Sequence, residues 1–186
     1  MAYPLYTVGH SNHTADDLLD LLRRNGISVV VDVRSSPFSR YCPQFNREQL
    51  ARHCAGKLRY VWMGDSLGGR PADPAFYDEA GHVLYAPLSR TESFLSGIGA
   101  LERNAERYSI AILCSEADPI ACHRSLLITR VLRDRGMPDD RIRHILANGT
   151  VRNDSELPVQ VPMLEDAWRS PLSVLHEPAL NPSSGA

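Results

Sequence analysis

The sequence predicts an α/β domain: a single, mainly parallel sheet of about five strands flanked by helices, with its site at the C-terminal strand ends. Three observations predict it. Short β-branched or apolar runs alternate with helical segments from about residue 5 to residue 150. The run "ISVVVDVR" (27–34) is continuously apolar up to Asp32, as a strand covered on both faces should be. The chemically unusual residues all follow strands: Gly9-His10-Ser11, Asp32-Val33-Arg34, "GDSLGG" and Cys114-Ser115-Glu116. Right-handed crossovers in an open parallel sheet bring such segments to one edge, where ligands bind.

The elements follow in order. "LYTVGH" is a short strand closed by Gly9. Thr14 then precedes "ADDLLDLLRRNG", in which Leu18, Leu19, Leu21 and Leu22 form one face. Asp16 and Asp17 sit in the first turn, Arg23 and Arg24 in the last, and Gly26 stops the run, so cap, dipole charges and stop agree on a helix. "ISVVVDVR" is the second strand. Asn46 is positioned to cap a helix over "REQLARHCAG", and "LRYVWM" is a third strand. The Gly- and Pro-rich stretch 64–90 reads as a long loop of the functional kind. "ESFLSGIGALERNAERY" after Thr91 is a helix weakened by two glycines, and "SIAILC" is the fourth strand. Asp118 and Pro119 mark a helix entry, "CHRSLLITRVLRDRG" is a helix that Gly136 ends, and "RIRHILANG" holds a fifth short strand. The α/β domain is expected to span 1–152. Residues 153–186 are expected to form a surface-draped tail with one helical turn around Leu164–Trp168 and a disordered end.

Composition narrows the function. The chain has 186 residues, 43% of them hydrophobic and 23% charged, with a formal net charge of −2. This suits a globular domain with a full core and does not mark a nucleic-acid binder by bulk charge. Arg dominates the basic residues, Lys57 being the one Lys, so a local basic patch remains open. No apolar run is long enough for a membrane span, and "MAYPLYTVGH" lacks a signal-peptide pattern, so a cytoplasmic location and no membrane partner are expected. In that compartment the four cysteines point to packing, catalysis or metal rather than a disulfide framework.

The chemistry concentrates in "AILCSEADPIACHRSLL". Cys114 is either a small buried hydrophobe ending a strand or a reactive thiol. Cys122, followed by His123 and Arg124 near a helix start, is the better placed of the two for a lowered thiol pKa. Glu116, in the loop between them, is either a solvated carboxylate or a general acid/base. Asp32 is either paired structurally with Arg34 or catalytic. His10 is either a turn residue or an acid/base group, whereas His144 reads as a structural histidine. Arg34, Arg40, Arg70 and Arg124 on converging segments suggest an anionic ligand held by guanidinium forks. Tyr41, Phe45 and Trp62 are either rings on which a base can stack or ordinary core and rim packing, the latter favoured for Trp62. Seven residues separate the two cysteines, unlike a zinc knuckle. No metal is therefore expected, and zinc or iron on Cys114, Cys122 and His123, with His10 or Glu116, is the alternative.

"TVGHS", "VVVDVRSSPFSR", "LRYVWMGDSLGGR" and "AILCSEADPIACHRSLL", with "RHI" afterwards, resemble the domain of unknown function 488 family over roughly residues 5–150. The resemblance implies an α/β domain with a pocket built from those blocks. It draws attention to His10, Ser11, Asp32, Arg34, Pro37, Ser39, Arg40, Gly68, Gly69, Cys114, Glu116, Cys122, His123 and Arg124. The family's first block is often Gly-Tyr-Ser or Gly-His-Ser, so His10 is not required by the resemblance. A Cys-phosphatase loop needs Arg six positions after Cys. Here Arg124 lies ten after Cys114 and two after Cys122, which excludes that mechanism.

Three functions are consistent with these residues. The first is a hydrolase or transferase acting on a phosphate-bearing small molecule, nucleotide or nucleic-acid-derived substrate. Glu116, Asp32, Cys114, Cys122, His123 and His10 would be its catalytic set, and Ser11, Arg34, Ser39, Arg40, Gly68, Gly69, Arg70 and Arg124 its substrate-binding set. The second is a metal-binding or redox thiol protein. The third is a non-catalytic module for an anion or nucleic acid. The enzyme ranks first, because Asp, Glu, His, Cys and Arg from four strand ends are chemically richer than a binding pocket needs.

Overall fold

The structure, a computed structural model, describes residues 3–158 and 167–173. A six-stranded sheet has the order β3-β2-β5-β1-β6-β7. Its members are β1 (Leu5–Gly9), β2 (Val29–Asp32), β3 (Arg59–Trp62), β5 (Ile110–Cys114), β6 (Ile142–Ile145) and β7 (Val151–Asn153). All neighbours pair parallel except β6 with β7. The predicted fold class is therefore the observed one, with the antiparallel edge strand β7 added. Among the described residues, no helix is long and apolar enough to cross a membrane.

Strand pleat divides the core. Leu5, Val29, Val31, Ile110, Ile112 and Ile142 face one side, where α5 (Glu92–Ala105) and α6 (Arg130–Asp134) cover them. Tyr6, Val8, Val30, Ala111, Leu113 and Ile145 face the other, against α1 (Ala15–Arg24) and α2 (Arg47–Cys54). Helix α1 is buried through Leu18, Leu19 and Leu22, each removing apolar surface worth about 1.5–3 kcal/mol. Its start is a capping box in which the Thr14 hydroxyl accepts from Asp17 N and the Asp17 carboxylate accepts from Thr14 N.

Several local expectations need correction. Asn46 does precede α2, but its side chain makes no cap bond and accepts instead from Ser39 N at 2.6 Å, which ties down the loop after β2. The stretch 64–90 is not an unstructured loop. It holds α3 (Gly64–Leu67), β4 (His82–Leu84) and α4 (Tyr85–Leu88). Strand β4 pairs antiparallel with β8 (Arg169–Ser173), some 90 residues later, and Trp168 is buried with its indole N–H donating to Leu126 O. Helix α5 runs unbroken through its glycines, since Gly97 lets α5 close on Leu67 of α3. The helix after His123 is a π-helix over Arg124–Thr129 before it becomes α6, a widened turn often found at functional sites. The turn expected around Leu164–Trp168 lies mostly outside the described residues, and the expected disordered end lies wholly outside them.

Candidate functional site

Parallel register lines up the strand ends. Cys114 at the end of β5 sits beside Gly9 of β1, and the preceding Leu113 sits beside Asp32 of β2. Asp32 pairs onward with Trp62 of β3. The ladder continues into the loops, with His10 N donating to Cys114 O and Ser11 N to Ser115 O, both at 2.9 Å. The close packing needs Gly9, because a Cβ there would lie 1.8 Å from the carbonyl oxygen of Glu116.

Two polar clusters occupy this edge. The first is a closed network around Asp32, which is fully buried. Its Oδ1 accepts from Arg34 Nε at 2.9 Å and Arg34 N at 3.1 Å. Its Oδ2 accepts from Arg34 Nη2 at 2.6 Å and Tyr60 Oη at 2.7 Å. Arg34 Nη2 also donates to Phe45 O at 2.8 Å, and Nη1 meets His10 Nε2 at 3.1 Å. His10 Nδ1 faces the Ser11 carbonyl at 2.9 Å, so Nδ1 carries the proton and Nε2 accepts from Arg34. Burial lowers the His10 pKa to about 4. The Arg34 charge reinforces the shift, and the Ser11 bond opposes it. A neutral ring stacked 4.4 Å from Phe45 is thus a support for Arg34.

The second cluster is built from Cys114, Glu116, Cys122 and His123. The chain leaves β5 at Cys114, passes through Glu116, and makes a short 3₁₀ turn over Pro119–Ala121. In that turn the Asp118 side chain accepts from Ile120 N, and the chain returns with Cys122. Both thiols reach one carboxylate oxygen: Cys114 Sγ lies 2.9 Å and Cys122 Sγ 3.0 Å from Glu116 Oε2. His123 Nδ1 lies 3.5 Å from Cys114 Sγ and 3.9 Å from Cys122 Sγ. Burial would raise the Glu116 carboxyl, but the bonds from Cys114 and Cys122 hold it at about 2. Burial pushes the Cys122 thiol well up, and Cys114 beside it adds to the shift. Burial would lower the His123 pKa, yet contact with Cys122 and the nearby Glu116 raise it.

A cleft of about 420 Å³ opens over this second cluster. Of the residues singled out by sequence, Arg34, Ser39, Gly69, Arg70, Cys114, Glu116 and His123 form part of its wall. His10, Ser11, Asp32, Arg40, Gly68, Cys122 and Arg124 do not. Asp32, His10 and Cys122 stand directly behind wall residues. Arg124 is fully buried, and its guanidinium donates to Glu116 O at 2.6 Å and Ala117 O at 3.1 Å, so it fixes the loop from behind. Ser11 adopts a left-handed φ of 47° where the chain turns after β1, and its carbonyl receives His10 Nδ1. The Gly-Gly pair serves packing: a Cβ on Gly68 would lie 2.3 Å from Ser35 Oγ, and one on Gly69 2.6 Å from His123 Cγ.

Sequence reasoning missed Tyr60, which completes the Asp32–Arg34 network, and the cleft wall made by Val83, Tyr85 and Ser170–Leu172; Phe45, weighed as a base-stacking ring, is instead buried against His10 with its carbonyl on Arg34. Tyr60 carried a signal, since it lies two residues before Trp62, the register partner of Asp32, and so shares a sheet face with it. The β8 wall carried none, because its pairing with β4 spans most of the second half of the chain. Phe38, 69% exposed, and Leu172, 62% exposed, stand at the cleft as uncovered apolar side chains.

Neither curated proteins nor solved structures give a match to this chain. A family model, Domain of unknown function DUF488, matches residues 14–131, which span α1 through the cysteine loop and the π-helix. The match contains both polar clusters except His10, and covers more than half of the chain, so the protein belongs to the DUF488 family.

Proposed function

We propose that the cleft is the active site of a hydrolase or transferase acting on a nucleotide or nucleic-acid-derived molecule, with Glu116 as its reacting carboxylate. One observation carries this reading: a carboxylate, an imidazole and a thiol share the floor of a cleft large enough for a small molecule. The Asp32 network lies behind the wall and holds the floor in place. Held ionised by the two thiols, this carboxylate can face the positive centre that develops when a sugar C–N bond breaks.

The walls support the substrate class. Arg70 stands on one wall. Four of the five N–H groups of Arg34 are engaged by Asp32, Phe45 and His10, which leaves one on the cleft side for an anionic oxygen. Ser36 and Ser115 add hydroxyls, and exposed Phe38 offers a face on which a base can stack. The anion contacts are fewer than four convergent arginines would give, because Arg124 is committed to the loop and Arg40 lies off the wall.

The test is turnover of a panel of nucleosides, nucleotides and short single-stranded oligonucleotides, followed chromatographically. Wild-type protein should release product. Glu116→Gln should lose about 10²-fold or more in rate, and Phe38→Ala should raise KM with little change in kcat. No turnover across the panel, or a Glu116→Gln rate equal to wild type, overturns the proposal.

A further inference from the structure

We propose that Cys114, Cys122 and His123 bind one zinc-type divalent ion at the floor of the cleft, with Glu116 in the fourth, exchangeable position. This deepens the active-site reading by naming its cofactor. It rests on that reading only for the ion's part in turnover, since binding is measured separately.

The donor geometry is the first support. The Cys114 and Cys122 sulfurs and a His123 ring nitrogen all lie within 4.8 Å of one another. Zinc bonds of about 2.3 Å to sulfur and about 2.0–2.1 Å to nitrogen, at tetrahedral angles, separate S and N by about 3.5–3.6 Å. The observed separations are 3.5 and 3.9 Å. Glu116 Oε2, at 2.9 and 3.0 Å from the sulfurs, needs to back away by only roughly half an ångström to become a ligand.

The second support is an unmet need. Among the described residues, His123 Nδ1 has only the two sulfur contacts. A buried imidazole without an oxygen or nitrogen partner is costly, and native proteins rarely tolerate it without a reason. A metal bond supplies one at Nδ1. The ring is also fixed in place: Gly69 packs so closely on it that a Cβ would lie 2.9 Å from Nδ1. Arg124 fixes the Glu116 and Ala117 carbonyls on the other side. All four cysteines are free thiols, so no disulfide competes for Cys114 or Cys122.

The spacing of the cysteines, which fits a zinc knuckle poorly, is no obstacle here. Knuckle spacing serves small loops that fold around the ion. In this chain the sheet already fixes Cys114 at a strand end, and the 3₁₀ turn brings Cys122 back beside it. Three protein donors with the fourth position at a cleft form the open pattern of catalytic rather than structural zinc. On binding, two S–metal bonds form, and the two thiol protons leave to solvent.

The test uses the full chain expressed without a polyhistidine tag. Elemental mass spectrometry should find about one zinc per chain, falling to a trace in Cys114→Ser and Cys122→Ser. Because a serine variant can misfold, wild-type protein is also stripped with a chelator, checked by circular dichroism and titrated with Co²⁺. A thiolate charge-transfer band and the intense visible absorption of tetrahedral Co²⁺ should appear, and should be absent in both variants. Trace metal in the native protein with no cobalt band overturns the inference, as does metal retained by both variants. Metal bound without turnover of the nucleotide panel overturns the active-site reading and leaves this one standing. Turnover by metal-free protein leaves the active-site reading and the binding standing and overturns the ion's part in turnover.

Discussion

Two polar clusters sit side by side at the same sheet edge, and they are built to different rules. Around Asp32 the matching is complete but for one N–H of Arg34: the carboxylate accepts four hydrogen bonds, Arg34 reaches three residues, and His10 uses both ring nitrogens. Around Glu116 the matching stops. Two thiols share one carboxylate oxygen, an imidazole touches only sulfur, and its second nitrogen has no partner among the described residues. A satisfied buried network fixes a shape. An unsatisfied one at the floor of a cleft is expected where a ligand completes it. On the proposed reading, the Asp32 cluster is the frame and the Glu116 cluster the site.

The largest predicted effect breaks the frame. Asp32→Ala leaves the Arg34 guanidinium buried without its counter-charge and should cost about 3–5 kcal/mol in urea unfolding. Gly69→Ala comes next. Its methyl must displace the His123 ring, costing about 1–3 kcal/mol, and it should weaken Co²⁺ binding about tenfold or more. Tyr60→Phe removes one of the four bonds on Asp32 and should cost about 1.5–2 kcal/mol.

One further prediction is a pH slope. The folded His10 pKa is about 4 against an ordinary value of 6.5. Between those values the unfolded chain binds a proton that the folded chain refuses, so stability falls as pH falls from 6.5 toward 4. The slope contribution is at most about 1.4 kcal/mol per pH unit. His10→Gln, measured in parallel by urea unfolding, should lack that contribution. Equal slopes in the two proteins would mean that the ring is not held neutral beside Arg34.

Much of this architecture was legible in the sequence where local chemistry repeats itself. The β-branched run at 27–34 became β2, the Thr14 cap and leucine face became α1, and the strand-end rule located the edge where both clusters sit. His144 was readable as structural, and it bridges Thr7 and Asp154 inside the fold at 2.8 and 2.9 Å. What stayed hidden depends on distant partners. Arg124 looked like an anion clamp because a sequence does not show that its partners are the backbone carbonyls of Glu116 and Ala117. The β4–β8 ribbon was hidden for the same reason. The cysteine spacing could not show that Cys114, Cys122 and His123 bring their donor atoms within 4.8 Å of one another, because spacing rules describe donors on one local loop and here a sheet strand positions one of them.

The division into frame and site is tested most directly by measuring urea stability and turnover together in Asp32→Ala and Glu116→Gln. The account predicts that Glu116→Gln stays within about 1 kcal/mol of wild type in stability while losing turnover about 10²-fold or more, and that Asp32→Ala loses stability outright. Glu116→Gln as destabilised as Asp32→Ala, or as active as wild type, would contradict it.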